Sequence, residues 1–268
     1  MKINVIGNGS ALNTKMTNTS FLINDNTLID CGRNVVDKLI EIEKIDDIKY
    51  IFLTHAHEDH IGSLETFIYH RKFISKNMDF KIIHDPTNRD LTKYINALYE
   101  KSSVGFKYPY FRLTEIYDKG IFSNAWETLN KKSPLFYKDC PKYIKIDNDI
   151  NCFSITSDAH CSIRNTSFFF VKIDPTKSFD GEFKVIGFSG DTKATDLIET
   201  TFRKFIVESF NIKNHKMFHD YSKIDHPNNV HCCKSDFNSI YSPEFRKIIQ
   251  KVHTDDMKLV DKEFCFYD

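Results

Sequence analysis

The stretch "IFLTHAHEDHIGSLE", residues 51–65, sets three histidines and one aspartate within six positions, directly after a short apolar run. A run of that length reads as a buried strand, and the polar segment after it as the loop leaving the strand. Such a loop can aim His55 and His57 to one side and Asp59 and His60 to the other, and so offer ligands to two adjacent metal ions. Imidazole nitrogens combined with carboxylate oxygens suit zinc, and manganese or iron less exclusively. A polar turn with incidental histidines is the weaker reading, because three of the chain's 11 histidines fall in this one ordered pattern.

On either side of this segment, strands and helices alternate. "KINVIGNGS" reads as a strand ending in a glycine turn, and "TSFLIND" and "NTLIDCG" as short strands between Asn, Asp and Gly turns. "RNVVDKLIEIEK" has apolar residues near helical spacing; "IGSLETFIYHRKFIS" and "RDLTKYINALYEKSS" read as helices, with "FKIIHDP" as a strand between them. In the second half "NCFSITS", "SFFFVKID", "FKVIGFSGDT" and "RKFIVESF" read as strands, followed by a helix over "SDFNSIYSPEFRKII". Two strand-rich halves that each carry helices fit two packed sheets with helices on their outer faces. One domain over residues 1–268 is expected, with a variable helical and aromatic insertion at about 65–150.

The chain of 268 residues is long enough to bury a sizeable core. Its 37 basic and 37 acidic side chains exclude the global positive field that non-specific nucleic-acid binders use, so a polyanion would have to be recognised locally. Seven scattered cysteines without a CxxC pair read as reduced thiols of a cytosolic protein. No export signal or membrane span is read, so a cytoplasmic chain without a membrane partner is expected.

The pattern His55-Ala-His57-Glu-Asp59-His60 resembles the HxHxDH signature of the metallo-β-lactamase superfamily. The resemblance implies an αββα four-layer sandwich of the α/β class, with two divalent metal ions at one edge, zinc first and manganese or iron as alternatives. It implies a further ligand at His160 in "SDAH" and a carboxylate shared by both ions at Asp191 in "SGDT". For the last ligand the tail offers His215, His219, His226, His231 and His253. The family's final histidine follows a strand, which favours His253 after "IIQKV", although that run is more polar than usual. His215, His219 and His226 are read as surface side chains.

"GNGSAL", "NTSFLI" and "LIDCG" resemble the opening motifs of the phosphodiesterase branch, which includes the tRNA 3′-processing endonucleases. There the glycine turn approaches the site, and the aspartate matching Asp30 orients a metal ligand. A histidine that binds no metal, matched by His231, touches the phosphate or protonates the leaving oxygen. Two divalent ions outweigh Asp59, Asp191 and a bridging hydroxide, which favours an anionic phosphodiester attacked by that hydroxide. Asp59 and His231 are the catalytic candidates, and a cyclic nucleotide is the leading substrate. The basic arm of the tRNA endonucleases does not fit between His160 and Asp191, so extended RNA binding is not expected, although "NKKSPLFYKDCPKYIK" is locally basic. A tRNA 3′-endonuclease and a metal-dependent lactonase are the alternatives. A homodimer is expected. The aromatic run "VGFKYPYFRLTEIYDKGIFSNAWETL" reads as core or an oligomer interface more readily than as a base-stacking cap.

Overall fold

The computed structural model describes residues 1–85, 88–101, 110–112, 142–146, 150–157, 160, 163–172, 185–208, 212–223, 230–253 and 265–266. Two mixed sheets face each other. The first orders its strands β13-β1-β2-β3-β4-β5-β6, where β1 is Ile3–Gly7, β2 Ser20–Ile23, β3 Thr27–Ile29, β4 Tyr50–Phe52, β5 Lys81–His84, β6 Tyr110–Arg112 and β13 Cys265–Phe266. The second orders β12-β11-β10-β9-β8-β7, with β7 Lys142–Lys145, β8 Ile150–Ser157, β9 Asn165–Lys172, β10 Val185–Phe188, β11 His215–Asp220 and β12 Ile249–Val252. In each sheet a run of antiparallel neighbours gives way to parallel ones, at β3–β4 in the first and at β10–β11 in the second.

Strand alternation builds the layers. On β9, Phe168 and Phe170 point between the sheets, and Phe169 and Val171 point to the outer face. Between the sheets Phe52 meets Phe168 and Phe170 edge-on at 5.2 and 4.9 Å, and Phe21 lies 4.8 Å from both Phe188 and Phe218. The outer face of the first sheet, with Leu22, Leu28, Ile51 and Ile82, packs on the helix Val35–Glu41 and on Phe67 and Ile68. Phe169, Val171 and Met217 of the second sheet pack on Ile198, Phe202, Ile206 and Phe245. This is a four-layer αββα sandwich.

Three local expectations are corrected. The helix read over "IGSLETFIYHRKFIS" is interrupted after Glu58–Ile61 and resumes over Leu64–Tyr69, ending in a wider π turn over His70–Ile74. "RKFIVESF" is not a strand: residues Thr200–Glu208 wind as a π-type helix. Its apolar residues suit either period, but Phe202 and Ile206, four apart, both bury against the second sheet. The single helix over "SDFNSIYSPEFRKII" is two, Lys234–Ile240 and Pro243–Ile248. Proline disfavours helical backbone in the residue before it, and Ser242 instead caps the second helix by accepting the Phe245 N–H at 3.2 Å.

The C-terminal ends of β4, β8, β10, β11 and β12 open toward one edge of the sandwich, and the chemistry-bearing residues leave the strands there. Among the described residues no helix is long and apolar enough to cross a membrane. The aromatic run and "NKKSPLFYKDCPKYIK" lie almost wholly outside the described residues.

Candidate metal centre

Beyond Phe52 the chain leaves β4 extended, and His57 precedes a single helical turn, Glu58–Ile61, that carries Asp59 and His60. The "IDCG" turn grips this turn from below. Cys31 N–H donates to the His60 carbonyl at 2.7 Å and Ser63 N–H donates to the Cys31 carbonyl at 2.9 Å. A Cβ on Gly32 would stand 1.8 Å from the Asp59 carbonyl oxygen, so only glycine lets the two turns approach this closely.

Two groups of four donors result, beside a smaller set of Asp191, Asp220 and His231. His55, His57, His160 and Asp191 form one; Asp59, His60, Asp191 and His253 form the other, and Asp191 belongs to both. Within each group the ligand atoms lie within 4.8 Å of one another. In the first, His57 Nδ1 stands 3.0 Å from His55 Nε2 and 3.1 Å from His160 Nε2. In the second, His60 Nε2 is 3.2 Å from Asp191 Oδ1 and 3.5 Å from Asp59 Oδ2, and His253 Nε2 is 3.6 Å from Asp59 Oδ2 and 3.5 Å from Asp191 Oδ2.

The hydrogen bonds behind the rings fit these groups to cations. His160 Nδ1 faces the Val230 carbonyl at 3.3 Å, so its proton sits there and Nε2 presents a lone pair to His57. His60 Nδ1 donates to Asp30 Oδ2 at 2.7 Å, and Asp30 is held in turn by the Thr54 N–H and hydroxyl, each at 2.8 Å. That leaves His60 Nε2 a lone pair aimed at carboxylates, and both it and Asp59 Oδ2 are buried without a hydrogen-bond partner. Lone pairs converging from imidazoles and carboxylates in a largely buried pocket are what a divalent ion satisfies. The donor set therefore fits two such ions, with Asp191 between them.

The charges of the protein atoms agree. Burial, with His60 nearby, holds His55 well below the usual histidine range, and burial pushes His160 down to about 4, so both rings are neutral donors. Burial also opposes a charge on His60, yet Asp191 and Asp30 overcome it and hold that ring well above the usual range, so a cation at Nε2 would bind by displacing a proton from it. Burial works against an ionised Asp191, but His253, His60 and His55 keep it well below its ordinary value.

One arrangement was not anticipated from sequence. Asp220, at the end of β11, receives His231 Nδ1 at 2.8 Å and the Thr192 N–H at 3.1 Å on the same oxygen, Oδ2. His231 Nδ1 also lies 3.7 Å from Asp191 Oδ2, so this ring sits beside both donor groups without belonging to either. Burial lowers its basicity, but the Asp220 hydrogen bond and carboxylate and the nearby Asp191 raise its pKa to about 9. The sequence "HKMFHD" carries no period-two alternation, so nothing in it signals that β11 is a strand ending with Asp220 beside the site. The same strand corrects the reading of His219 as a surface side chain. His219 is wholly buried, with Nδ1 on the Asp220 carbonyl at 2.7 Å and Nε2 against the Tyr241 hydroxyl at 2.6 Å. His215 is half-buried on the same strand, and His226 lies outside the described residues. β12 is more polar than an inner strand because it forms the edge of its described sheet, which gives Gln250 and Lys251 their places.

Comparison with known proteins adds four likenesses. A family model described as anti-Pycsar protein Apyc1 matches residues 1–130. The anti-Pycsar protein Apyc1 of Bacillus phage BSP38 is 38% identical over 137 residues, which is 49% of this chain and 50% of the phage protein. The chain thus spans about half the length of the curated relatives it matches. The metallo-β-lactamase fold protein YhfI from Bacillus subtilis superposes with a TM-score of 0.57 at 12% identity, over 94% of this chain and 85% of that one. The short form of human tRNase Z superposes with a TM-score of 0.60 at 15% identity, over 95% of this chain and 93% of the human one.

Proposed function

We propose that this chain, which has the metallo-β-lactamase fold, is a dinuclear metal-dependent phosphodiesterase that hydrolyses a small nucleotide phosphodiester, a cyclic nucleotide before others. The observation that carries the reading is the Asp220–His231 pair beside two donor groups already supplied with ligands. A histidine held there can protonate the alkoxide that leaves phosphorus, and a pocket left cationic favours an anionic phosphodiester over a neutral lactone. Two divalent ions, zinc first and manganese or iron as alternatives, would be held by His55, His57, His160 and Asp191 and by Asp59, His60, Asp191 and His253. Bound there, they would supply Lewis acidity toward a phosphoryl oxygen and a water of lowered pKa.

The chain's own groups do the rest. Asp191, common to both ligand groups, and Asp59, in one of them, are their carboxylates, and two negative charges against two divalent ions leave the pocket attractive to an anion. Thr54 and Asp30 hold His60 in one orientation, so the pocket keeps its shape before substrate arrives. In the reaction, a water oxygen that has given up one proton to solvent bonds to phosphorus as the opposite P–O bond breaks, and its remaining proton stays on the new phosphate oxygen. The leaving oxygen takes a proton from His231 Nε2, while the proton on Nδ1 stays against Asp220. The products are a phosphomonoester and an alcohol, which for a cyclic nucleotide are on one molecule.

The partial likeness to anti-Pycsar protein Apyc1 and the tRNase Z fold likeness are in keeping with phosphodiester chemistry. Only 12 positions, 173–184, separate β9 from β10, which leaves little chain for a tRNA-binding arm and supports the small substrate. Within the same reading the chain works as a cytoplasmic homodimer. Cys31, Cys152, Cys232 and Cys233, buried and unpaired with one another, suit a reducing compartment. Metal-loaded protein assayed against cyclic mononucleotides, a precursor tRNA and a lactone tests the proposal. Cleavage of a cyclic nucleotide is expected; cleavage of only the tRNA or only the lactone would replace it with the corresponding alternative.

A further inference from the structure

The glycine turn and the Asn-Thr pair of the opening loop have no part in the chemistry above, yet they converge on the last ligand. A Cβ on Gly7 would stand 2.3 Å from the Asn18 carbonyl oxygen, so glycine lets the turn close onto Asn18 and Thr19. The Thr19 N–H donates to the Gly9 carbonyl at 3.0 Å and the Thr19 hydroxyl donates to it at 3.2 Å. With its one proton so engaged, Thr19 Oγ1 meets His253 Nδ1 at 3.1 Å as an acceptor, which fixes the proton of that ring on Nδ1. His253 Nε2 is then the lone pair facing Asp59 and Asp191 at 3.6 and 3.5 Å.

The backbone is held from the same loop. His253 has φ of +60°, a left-handed conformation that a non-glycine residue adopts only when its surroundings impose it. Its N–H donates to Asn8 Oδ1 at 2.7 Å across 245 positions of sequence, and Asn8 is wholly buried.

We infer that Asn8 and Thr19 are positioning residues that set the backbone and the tautomer of His253, and thereby the affinity of the second metal site. This inference rests on the dinuclear reading above. It separates the two sites, because Asn8 and Thr19 bond to His253, which belongs to the second donor group and not to the first. Removing the Thr19 hydroxyl therefore weakens one ion and leaves the other.

Titration of apo protein with zinc against a competing chelator reads the two affinities separately, without reference to turnover. Thr19→Val, which keeps the shape, is expected to weaken one ion by roughly 10- to 100-fold, the usual scale for a partner behind a ligand, and to leave the other unchanged. Thr19→Ser keeps the hydroxyl and is expected to retain both affinities, whereas Asn8→Ala, which removes the acceptor for the His253 N–H, is expected to weaken the same ion as Thr19→Val. Thermal unfolding of the chelated variants checks that the fold is intact, and Thr19→Ala replaces Thr19→Val if the latter does not fold. A wild-type chain with two ions and a Thr19→Val variant with the same two affinities would overturn the inference alone. So would equal weakening at both sites, or a Thr19→Ser variant as weak as Thr19→Val. A wild-type chain that takes up no zinc would overturn the functional proposal as well.

Discussion

Acid should destabilise this fold through a histidine that no metal touches. His219 is wholly buried on β11, its Nδ1 proton committed to the Asp220 carbonyl and its Nε2 accepting the Tyr241 hydroxyl at 2.6 Å. The Tyr241 oxygen in turn receives the Thr195 N–H at 3.2 Å. A second proton on the ring would turn Nε2 into a donor and leave the tyrosine hydroxyl proton without its acceptor. Burial is the larger cause, only partly offset by the Asp220 carbonyl, and it lowers the pKa from 6.5 to about 4. The unfolded chain therefore takes up this proton at a higher pH than the folded one. The stability His219 contributes is complete above about pH 6.5, falls as the pH drops toward 4, and is gone below it. At about 1.4 kcal/mol per pH unit, the loss is bounded at about 3 kcal/mol. Urea unfolding of the chelated protein between pH 7 and pH 4, with His219→Gln run beside the wild type, measures it. The variant should start less stable and show a flatter profile, so that the two curves approach each other as the pH falls. Parallel curves would refute the reasoning.

Gly32→Ala should be disproportionately damaging, since the new methyl meets the Asp59 carbonyl at a distance no real contact allows. The displaced turn should lose metal at the site of Asp59 and His60 and cost about 1–3 kcal/mol of stability, read by elemental analysis and denaturation. His231→Ala should keep both ions and lower turnover of a cyclic nucleotide by roughly 10²-fold or more, the scale of a general acid. The loss should shrink on a nitrophenyl phosphodiester, whose leaving group departs without a proton; equal losses on both substrates would reduce His231 to a phosphate-positioning role.

What could be read ahead of the structure was what lies close together along the chain. His55, His57, Asp59 and His60 share one loop, and "SGDT" and "SDAH" each carry a ligand candidate beside a strand. The four layers followed from strand and helix patterns in each half. Contacts that depend on distant segments were not legible: the Asn8 side chain reaches His253 only because the chain's first turn lies against the strand β12. Asp220 is not legible because four of the six residues of "HKMFHD" are polar, and that polarity comes in part from placing His219 in a hydrogen-bonded interior and Asp220 at the site. "RKFIVESF" misled for the opposite reason. Its apolar and β-branched residues suit a strand, and only packing against the second sheet selects the helical spacing of Phe202 and Ile206.

The central claim is that two ions share one carboxylate, and the most direct measurement is metal content per chain for the wild type, Asp59→Ala and Asp191→Ala. Asp191 belongs to both donor groups and Asp59 to one. The account predicts two ions in the wild type, one retained in Asp59→Ala, and both weakened together in Asp191→Ala, with hydrolysis of a cyclic nucleotide lost in both variants. A wild-type chain without metal, or an Asp191→Ala variant that keeps both ions as tightly as the wild type, would contradict it.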